Sequence, residues 1–178
     1  LVDAAVDWSK NNWDDFNDSE AMVFILDASA DENLHNRCVA MEARAKELLP
    51  NAIVEIGDSM AEGGITAETA YNMTTRRFAA NPDVKYWIVL QPFDYFGSGV
   101  CRAAEDYNMV DSVCSACCNG DFYLDLLKAG TTGAWRFCLY WDNGVWAQLL
   151  INGLYARVCG ACPSTALWND FIQDGEQY

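Results

Sequence analysis

Short apolar runs alternate along this chain with longer stretches in which apolar residues recur every three or four positions. Ala21–Leu26 and Tyr86–Leu90 are continuous apolar runs without a polar face. Such runs are typical of strands buried on both sides of a parallel sheet. Asn33–Leu49 instead has the periodicity of an amphipathic helix, and Pro50 ends it. The pattern therefore predicts strands that alternate with helices.

The whole chain divides into repeated strand and helix units. We predict helices at Leu1–Trp13, Asn33–Leu49, Thr66–Ala80, Ser98–Tyr107, Asp121–Ala129 and Gly144–Val158. We predict strands at Ala21–Leu26, Ala52–Ile56, Val84–Leu90, Ser112–Cys118 and Ala134–Tyr140, and a mixed tail over Ala166–Tyr178. This alternation indicates an α/β fold, an open doubly wound parallel sheet of about five strands in the flavodoxin-like order 2-1-3-4-5, with helices on both faces. The length of 178 residues fits a single domain, 1–178.

The net charge of the chain argues against some classes of binding partner. The chain carries a formal net charge of -15. Such acidity repels phosphate backbones and anionic membrane surfaces, so we expect no nucleic-acid partner. No apolar run approaches the roughly 20 residues of a membrane span.

Topology also locates a binding edge. In doubly wound sheets, ligands bind outside the carboxyl ends of the strands. Polar and aromatic residues gather where the predicted strands end, at Asp27, Gly57–Asp58, Gln91–Asp94, Cys118–Asp121 and Tyr140–Asn143. We therefore expect one small-molecule site at this edge.

A series of segments, in order and spacing, resembles a known family. The segments are Ala80–Trp87, Asp94–Ala103, Asn119–Asp121, Leu126–Gly130 and Trp141–Gly144. Together they resemble the second lobe of type I periplasmic solute-binding proteins, the family of ribose- and galactose-binding proteins. The resemblance covers Ala21 to Gly160.

That resemblance implies a function and a setting. It implies one lobe of a two-lobed solute-binding protein whose second lobe is absent from the chain. The lobe would supply half of a cleft for a sugar or related polyol. It would serve a membrane permease of an ABC-type uptake system, in the periplasm or anchored at the cell surface. No enzymatic activity, cofactor or metal is expected, whereas the face that would meet the second lobe favours self-association.

The resemblance also assigns site residues. Arg37 matches the arginine with which the family clamps its ligand, and a guanidinium suits vicinal hydroxyls. The family's asparagine–aspartate pair falls on Phe93 and Asp94, the aspartate of its Asp-Gly loop on Asn119, and its glutamine near Leu139 or Tyr140. These departures argue against an ordinary pentose. The expected ligand-binding set is Arg37, Asp27, Phe93, Asp94, Asn119, Asp121, Tyr140 and Trp141.

Cysteine and histidine chemistry offers little support for catalysis or metal binding. Cys114–Cys117 and Cys159–Cys162 have metal-knuckle spacing. However, residues three apart on a strand face opposite sides, so we do not expect a zinc site. Cys114 and Cys159 should both lie at the edge away from the ligand site, where a disulfide is an alternative but two buried or edge thiols are favoured. His35, the single histidine, is expected at the helix surface.

Two other functions share this fold class. A flavodoxin-like cofactor-binding protein would hold phosphate at the loop after the first strand. That loop, Asp27–Glu32, contains three acidic residues. The effector-binding lobe of a lac-repressor-type regulator has the same architecture, but the chain contains no basic segment for DNA.

Overall fold

The computed structural model describes residues 1–140, 142–161, 172–173 and 176–177. The chain divides into two compact units, Leu1–Tyr140 and Trp141–Tyr178. The first unit contains the whole large sheet, and each unit is described separately below.

The first unit alternates helices and strands as the sequence predicts. Its helices are α1 (Val2–Asn12), α2 (Glu32–Leu48), α3 (Ala67–Ala80), α4 (Gly97–Asp106) and α5 (Asp121–Ala129). Its strands are β1 (Ala21–Asp27), β2 (Ile53–Asp58), β3 (Tyr86–Gln91), β4 (Val113–Asn119) and β5 (Trp135–Tyr140). Single turns of 3-10 helix precede β1 and β4 and follow β2 and β3.

The five strands form an all-parallel sheet in the order β2-β1-β3-β4-β5, which confirms the predicted fold class. Every residue of β1, β3 and β4 is buried. Because side chains alternate along a strand, burial throughout a strand requires cover on both faces. The continuous apolar runs in the sequence therefore mark the centre of the sheet.

Helices cover both faces. Phe24 and Leu26 of β1 belong to the same buried cluster as Met73 of α3 and Val100 of α4, while α5 adds Tyr123. Alternation directs Val23 and Ile25 of β1 to the opposite face, and α1 and α2 pack together on the sheet there. The site edge at the carboxyl ends of the strands is thus framed by helices from both sides.

The opposite, amino-terminal edge of the sheet is closed by aromatic residues. Trp13 stacks on Tyr86 with ring centroids 4.8 Å apart, and its indole nitrogen donates to the carbonyl of Asp111 at 2.7 Å. Lys85 pairs with Asp15 beside them. These contacts tie the segment after α1 to the starts of β3 and β4.

The strand boundaries differ from the predicted ones by at most two residues, and the start of β3 differs for a local reason. The predicted third strand begins at Val84, whereas β3 begins at Tyr86. The Val84 amide donates to the Asn81 carbonyl at 3.2 Å, within the turn that follows α3. The apolar side chain of Val84 extends the sequence pattern, but its backbone belongs to the turn.

The second unit begins with α6 (Asn143–Val158), as predicted. Asp142 caps this helix, since its Oδ1 accepts from the amides of Gly144 at 2.8 Å and Val145 at 3.2 Å. Two short antiparallel strands, β6 (Ile172–Gln173) and β7 (Glu176–Gln177), lie within the predicted mixed tail. None of the helices in the described ranges has the length and hydropathy that a membrane span requires.

The close approach of α3 and α4 leaves no space for a side chain at Gly99. A Cβ at Gly99 would lie 2.0 Å from the backbone carbonyl oxygen of Ala67, which cannot move aside as a side chain can. We expect Gly99→Ala to lower the free energy of unfolding by about 2 kcal/mol, the usual cost of overpacking. Urea denaturation measures this change.

Ser98→Ala is the matched control, because Ser98 is the exposed neighbour on the same helix. Its free energy of unfolding should stay within about 0.5 kcal/mol of the unsubstituted protein. Equal stability of the Gly99 and Ser98 variants would contradict this packing of α3 on α4.

Candidate functional site

Buried polar residues collect at the carboxyl ends of the three central strands. Asp27 ends β1, Asp94 follows β3, and Asn119 ends β4. All three are buried, although they lie where the strands leave the core. Buried polar groups of this kind require hydrogen-bond partners, so the partners define the site.

Asp94 joins three segments of this edge. Its side chain is 1% exposed. Its Oδ1 accepts from the Nδ2 of Asn119 at 3.2 Å, and its Oδ2 accepts from the backbone amide of Phe122 at 3.0 Å. The carboxylate therefore links the turn after β3 to the end of β4 and the first turn of α5. It acts as a positioning residue for that edge, and its predicted direct contact with ligand stays a prediction.

The Asn119–Gly120 turn depends on backbone conformation. Asn119 has φ 81° and Gly120 has φ 97°, both in the left-handed region. Asparagine tolerates this region better than most residues, and glycine does so without strain. A Cβ at Gly120 would also lie 2.4 Å from the sulfur of Cys138. The asparagine that replaces the family's aspartate thus has a conformational role as well as a hydrogen bond to Asp94.

Asp27 orients the imidazole of His35. Its Oδ1 accepts from the Ala28 amide at 2.7 Å, and its Oδ2 lies 2.7 Å from the Nδ1 of His35. A carboxylate only accepts, so Nδ1 carries a hydrogen, and in the neutral form of the ring Nε2 is the acceptor. The His35 side chain is 45% exposed, whereas that of Asp27 is 3% exposed. The sequence analysis placed His35 at the helix surface and missed its contact with Asp27. The position of His35 in the first turns of α2, close after the end of β1, was the signal that could have indicated the contact.

Arg37 extends from α2 towards the loop after β3. Its Nη1 donates to the carbonyl of Pro92 at 3.1 Å. Its positive charge also lies close enough to Cys118 to lower the pKa of that thiol, against the larger rise that burial causes. Arg37 therefore lies at the switch point between β1 and β3, near the residues that precede Asp94 and Asn119. The half-buried guanidinium reaches the same edge as those two residues.

Three aromatic rings form a continuous strip along this edge. Phe93 packs edge-on against Tyr95, with centroids 4.7 Å apart, and Tyr95 lies against Phe122 at 5.0 Å. Tyr95 and Phe122 are about half exposed, and Phe93 is partly buried. We call Phe93, Tyr95 and Phe122 the aromatic strip.

The remaining predicted site residues have different placements. Asp121 is exposed in the first turn of α5, next to the Asn119–Gly120 turn. Tyr140 ends β5 opposite Asn119 in the register of the two strands and is exposed. Trp141 lies outside the described residues. The expected set therefore has a buried centre of Asp27, Asp94 and Asn119, with Asp121 and Tyr140 at its exposed side.

The cysteines near the sheet are free thiols whose pKa values burial raises. Burial raises the pKa of Cys118, and it raises the pKa of Cys101 to about 11 and that of Cys114 to about 12. In the described part of the chain, every cysteine is a free thiol and no three metal-binding side chains cluster. Cys162 lies outside that part. Cys114 and Cys117 are both buried, and Cys159 is exposed.

The amino terminus of α2 is already occupied by a carboxylate. The Oδ1 of Asp31 accepts from the amides of Asn33 at 2.9 Å and Leu34 at 3.1 Å. These amides would otherwise bind a phosphate after the first strand, as in flavodoxin-like cofactor sites. A second carboxylate, Asp58, accepts from the hydroxyl of Ser29 at 2.7 Å, beside the same loop. The geometry therefore disfavours the flavodoxin-like alternative.

The role assigned to Asp94 predicts a stability effect. Asp94→Ala would leave the part-buried amide of Phe122 and the buried Asn119 side chain without their acceptor. We expect the free energy of unfolding to fall by about 3 kcal/mol, since each orphaned buried donor costs about 1–3 kcal/mol. Chemical denaturation measures the change.

Asp125→Ala provides the comparison, because Asp125 is an exposed carboxylate on α5 whose ion pair with Lys128 spans 3.6 Å. Exposed pairs contribute about 0–1 kcal/mol, so this variant should be nearly as stable as the parent. Similar losses in both variants would show that Asp94 is not the residue that joins the three segments.

Solved structures share this fold. An arabinose-binding protein from Geobacillus stearothermophilus matches with a TM-score of 0.60 and 16% identity over 97% of this chain and 55% of its own. A LacI family transcriptional regulator from Arthrobacter sp. FB24 in complex with lactose matches with a TM-score of 0.60 and 16% identity over 90% and 55%. An ABC transporter periplasmic solute-binding protein from Actinobacillus succinogenes 130z with bound D-allose matches at 0.54 and 17% over 73% and 42%.

These matches establish the fold, which is that of a lobe of periplasmic sugar-binding proteins and of related regulators. The chain spans 42–55% of the length of these structures. No protein-family model matches the sequence, and no curated protein is significantly similar to it.

Proposed function

We propose that this chain is one lobe of a carbohydrate-binding protein and that its carboxyl sheet edge supplies half of the ligand cleft. One observation carries the proposal. Side chains from three neighbouring strands and from α2 meet at the edge where ligands bind in doubly wound sheets. They do so in a fold that proteins solved with D-allose and lactose also have.

The groups at this edge suit a polyhydroxylated ligand. Arg37 offers planar N–H donors that match neighbouring hydroxyls. The Nε2 of His35, oriented through Asp27, offers an acceptor for a hydroxyl proton. The aromatic strip offers flat apolar surface for the C–H face of a sugar ring. Asp94 and Asn119 hold the intervening turn in place.

A two-lobed architecture fits the size of the chain. The chain spans about half of the length of the structures it resembles. We propose that a second lobe completes the cleft and that closure buries the ligand. The role that follows is solute capture outside the cytoplasm for an ABC-type permease.

Catalysis is not part of the proposal. The Asp27–His35 pair has the geometry of a base and its orienting carboxylate, but among the residues that the structure describes no activated nucleophile lies beside it. The hydroxyl of Ser29 donates to Asp58, and burial raises the pKa of the Cys118 thiol. An oriented imidazole is equally suited to ligand recognition.

The effector-binding lobe of a regulator is the second candidate. The structural match to a LacI family regulator in complex with lactose supports this candidate at the level of the fold. Both candidates bind carbohydrate at the same edge, and they differ in the partner. The net charge of -15 favours the uptake role, since it opposes approach to DNA. Retention of DNA in a gel-shift experiment at moderate salt would favour the regulator instead.

Replacing Arg37 tests the proposed site directly. We expect Arg37→Ala to weaken carbohydrate binding by about tenfold or more, since hydrogen bonds from a charged donor contribute roughly 1.5–3 kcal/mol. Calorimetry with D-allose, L-arabinose, D-galactose and lactose measures the affinities. Working at millimolar ligand allows for the weak binding expected of half a cleft.

Lys46→Ala is the control for charge. Lys46 is an exposed cation in the last turn of α2 and pairs with Glu42 at 2.8 Å, away from the site edge. Its affinity should stay within about twofold of the parent protein, because surface charges act weakly at a distance. Equal weakening by both substitutions, or no binding of any sugar by the parent protein, would reject the proposed site.

A further inference from the structure

A cavity opens beside the polar edge, on the face of the sheet that α3, α4 and α5 cover. Its volume is about 500 Å³, within the range of small-molecule pockets. It lies between the start of α3, the turn after β3, the start of α4 and the first turns of α5. Its principal lining residues are Ile65, Asp94, Ser98, Phe122, Leu126 and Trp135.

The cavity shares three residues with the site already described. Asp94 and Tyr95 line the cavity, and Asp94 also holds Asn119 at the polar edge. Phe122 belongs both to the cavity and to the aromatic strip. A ligand bound at the polar edge can therefore extend into the cavity across the aromatic strip without crossing a barrier of core residues.

The floor of the cavity is rigid and aromatic. Trp135 is fully buried, and the outer carbons of its ring pass beneath Gly97. A Cβ at Gly97 would lie 2.3 Å from two of those carbons, so the absence of a side chain admits the ring. Ile65 and Leu126 add aliphatic walls. Flat apolar walls of this kind favour an aromatic or otherwise flat ring over a polyol.

The charge of the lining excludes anionic ligands. Asp94 and Asp125 are the charged residues that line the cavity, and both are acidic. Asp125 is exposed and pairs with Lys128 at 3.6 Å, a weak surface contact. Both carboxylates would repel an anionic ring, and each already pairs with a donor of the protein, so the lining favours an uncharged ring.

We propose that this protein binds a carbohydrate that carries an uncharged aromatic ring, such as an aryl glycoside. The sugar lies at the polar edge near Arg37 and His35, and the aromatic ring enters the cavity over Trp135. This inference rests on the proposed carbohydrate function and specifies the class of ligand.

Matched pairs of glycosides test the inference. The probes are p-nitrophenyl and methyl glycosides of D-glucose, D-galactose, D-allose and L-arabinose, measured by calorimetry and by ligand-observed NMR. We expect the aryl glycoside of at least one sugar to bind about tenfold more tightly than its methyl partner, because the ring adds buried apolar area in a preformed pocket. This comparison requires no substitution.

A pair of variants then locates the ring. Ser98→Phe places a phenyl group at the rim of the cavity, and Glu105→Phe places the same group two turns along α4, away from the lining. The ratio of aryl to methyl affinity should fall towards one in the Ser98 variant and persist in the Glu105 variant. Should Ser98→Phe fail to fold, Ser98→Leu replaces it.

The outcomes separate this inference from the function on which it rests. Equal binding of aryl and methyl glycosides would overturn the cavity assignment and leave carbohydrate binding intact. Binding of aryl glycosides together with p-nitroanisole, an uncharged ring without a sugar, and of no methyl glycoside, would retain the cavity and overturn the carbohydrate function. No binding by any probe would overturn both. If the ratio of aryl to methyl affinity fell equally in Ser98→Phe and Glu105→Phe, the aromatic ring would bind outside this cavity.

Discussion

Burial of β1, β3 and β4 on both faces is the constraint from which the rest of this structure follows. A strand is buried on both faces only when other elements cover both sides of its sheet. Parallel strands are joined by crossover helices, and these helices supply that cover. All three strands therefore run in the same direction, and their carboxyl ends meet at one edge. The convergence of Asp27, Asp94 and Asn119 is a consequence of that packing.

The edge becomes a defined surface through a few buried polar contacts. Asp94 connects the turn after β3 to β4 and α5, and Asp27 fixes the ring of His35. An unsatisfied buried acceptor would cost free energy of folding, so each buried carboxylate is paired with a donor. That hydrogen bond fixes the orientation of the donor group. His35, Arg37 and the aromatic strip, which are at least partly accessible to solvent, therefore lie on a preorganised surface. Preorganisation reduces the entropy cost of ligand binding.

The sequence was sufficient for the architecture and for the residues that stand at the carboxyl ends of the strands. The apolar runs at Ala21–Leu26 and Tyr86–Leu90 report burial directly, and strand order follows from the alternation with helices. The role of Asp94 could not be predicted, because its partners lie 25 and 28 residues away in the sequence. The contact of His35 with Asp27 and the ring of Trp135 beneath Gly97 likewise depend on tertiary packing. Local patterns report which face of an element is buried, but they do not report which distant residue lies opposite.

The central claim is that carbohydrate binds at the carboxyl edge of this sheet, and mapping of backbone amide chemical shifts tests it most directly. The protein is titrated with D-allose, L-arabinose and lactose while its assigned amide resonances are followed. The account predicts that a bound sugar shifts amides in residues 28–37, 93–96 and 119–122, and leaves those around Trp13 and Lys85 at the opposite edge unchanged. Shifts confined to the opposite edge, or an unchanged spectrum at saturating concentrations of every sugar, would contradict it.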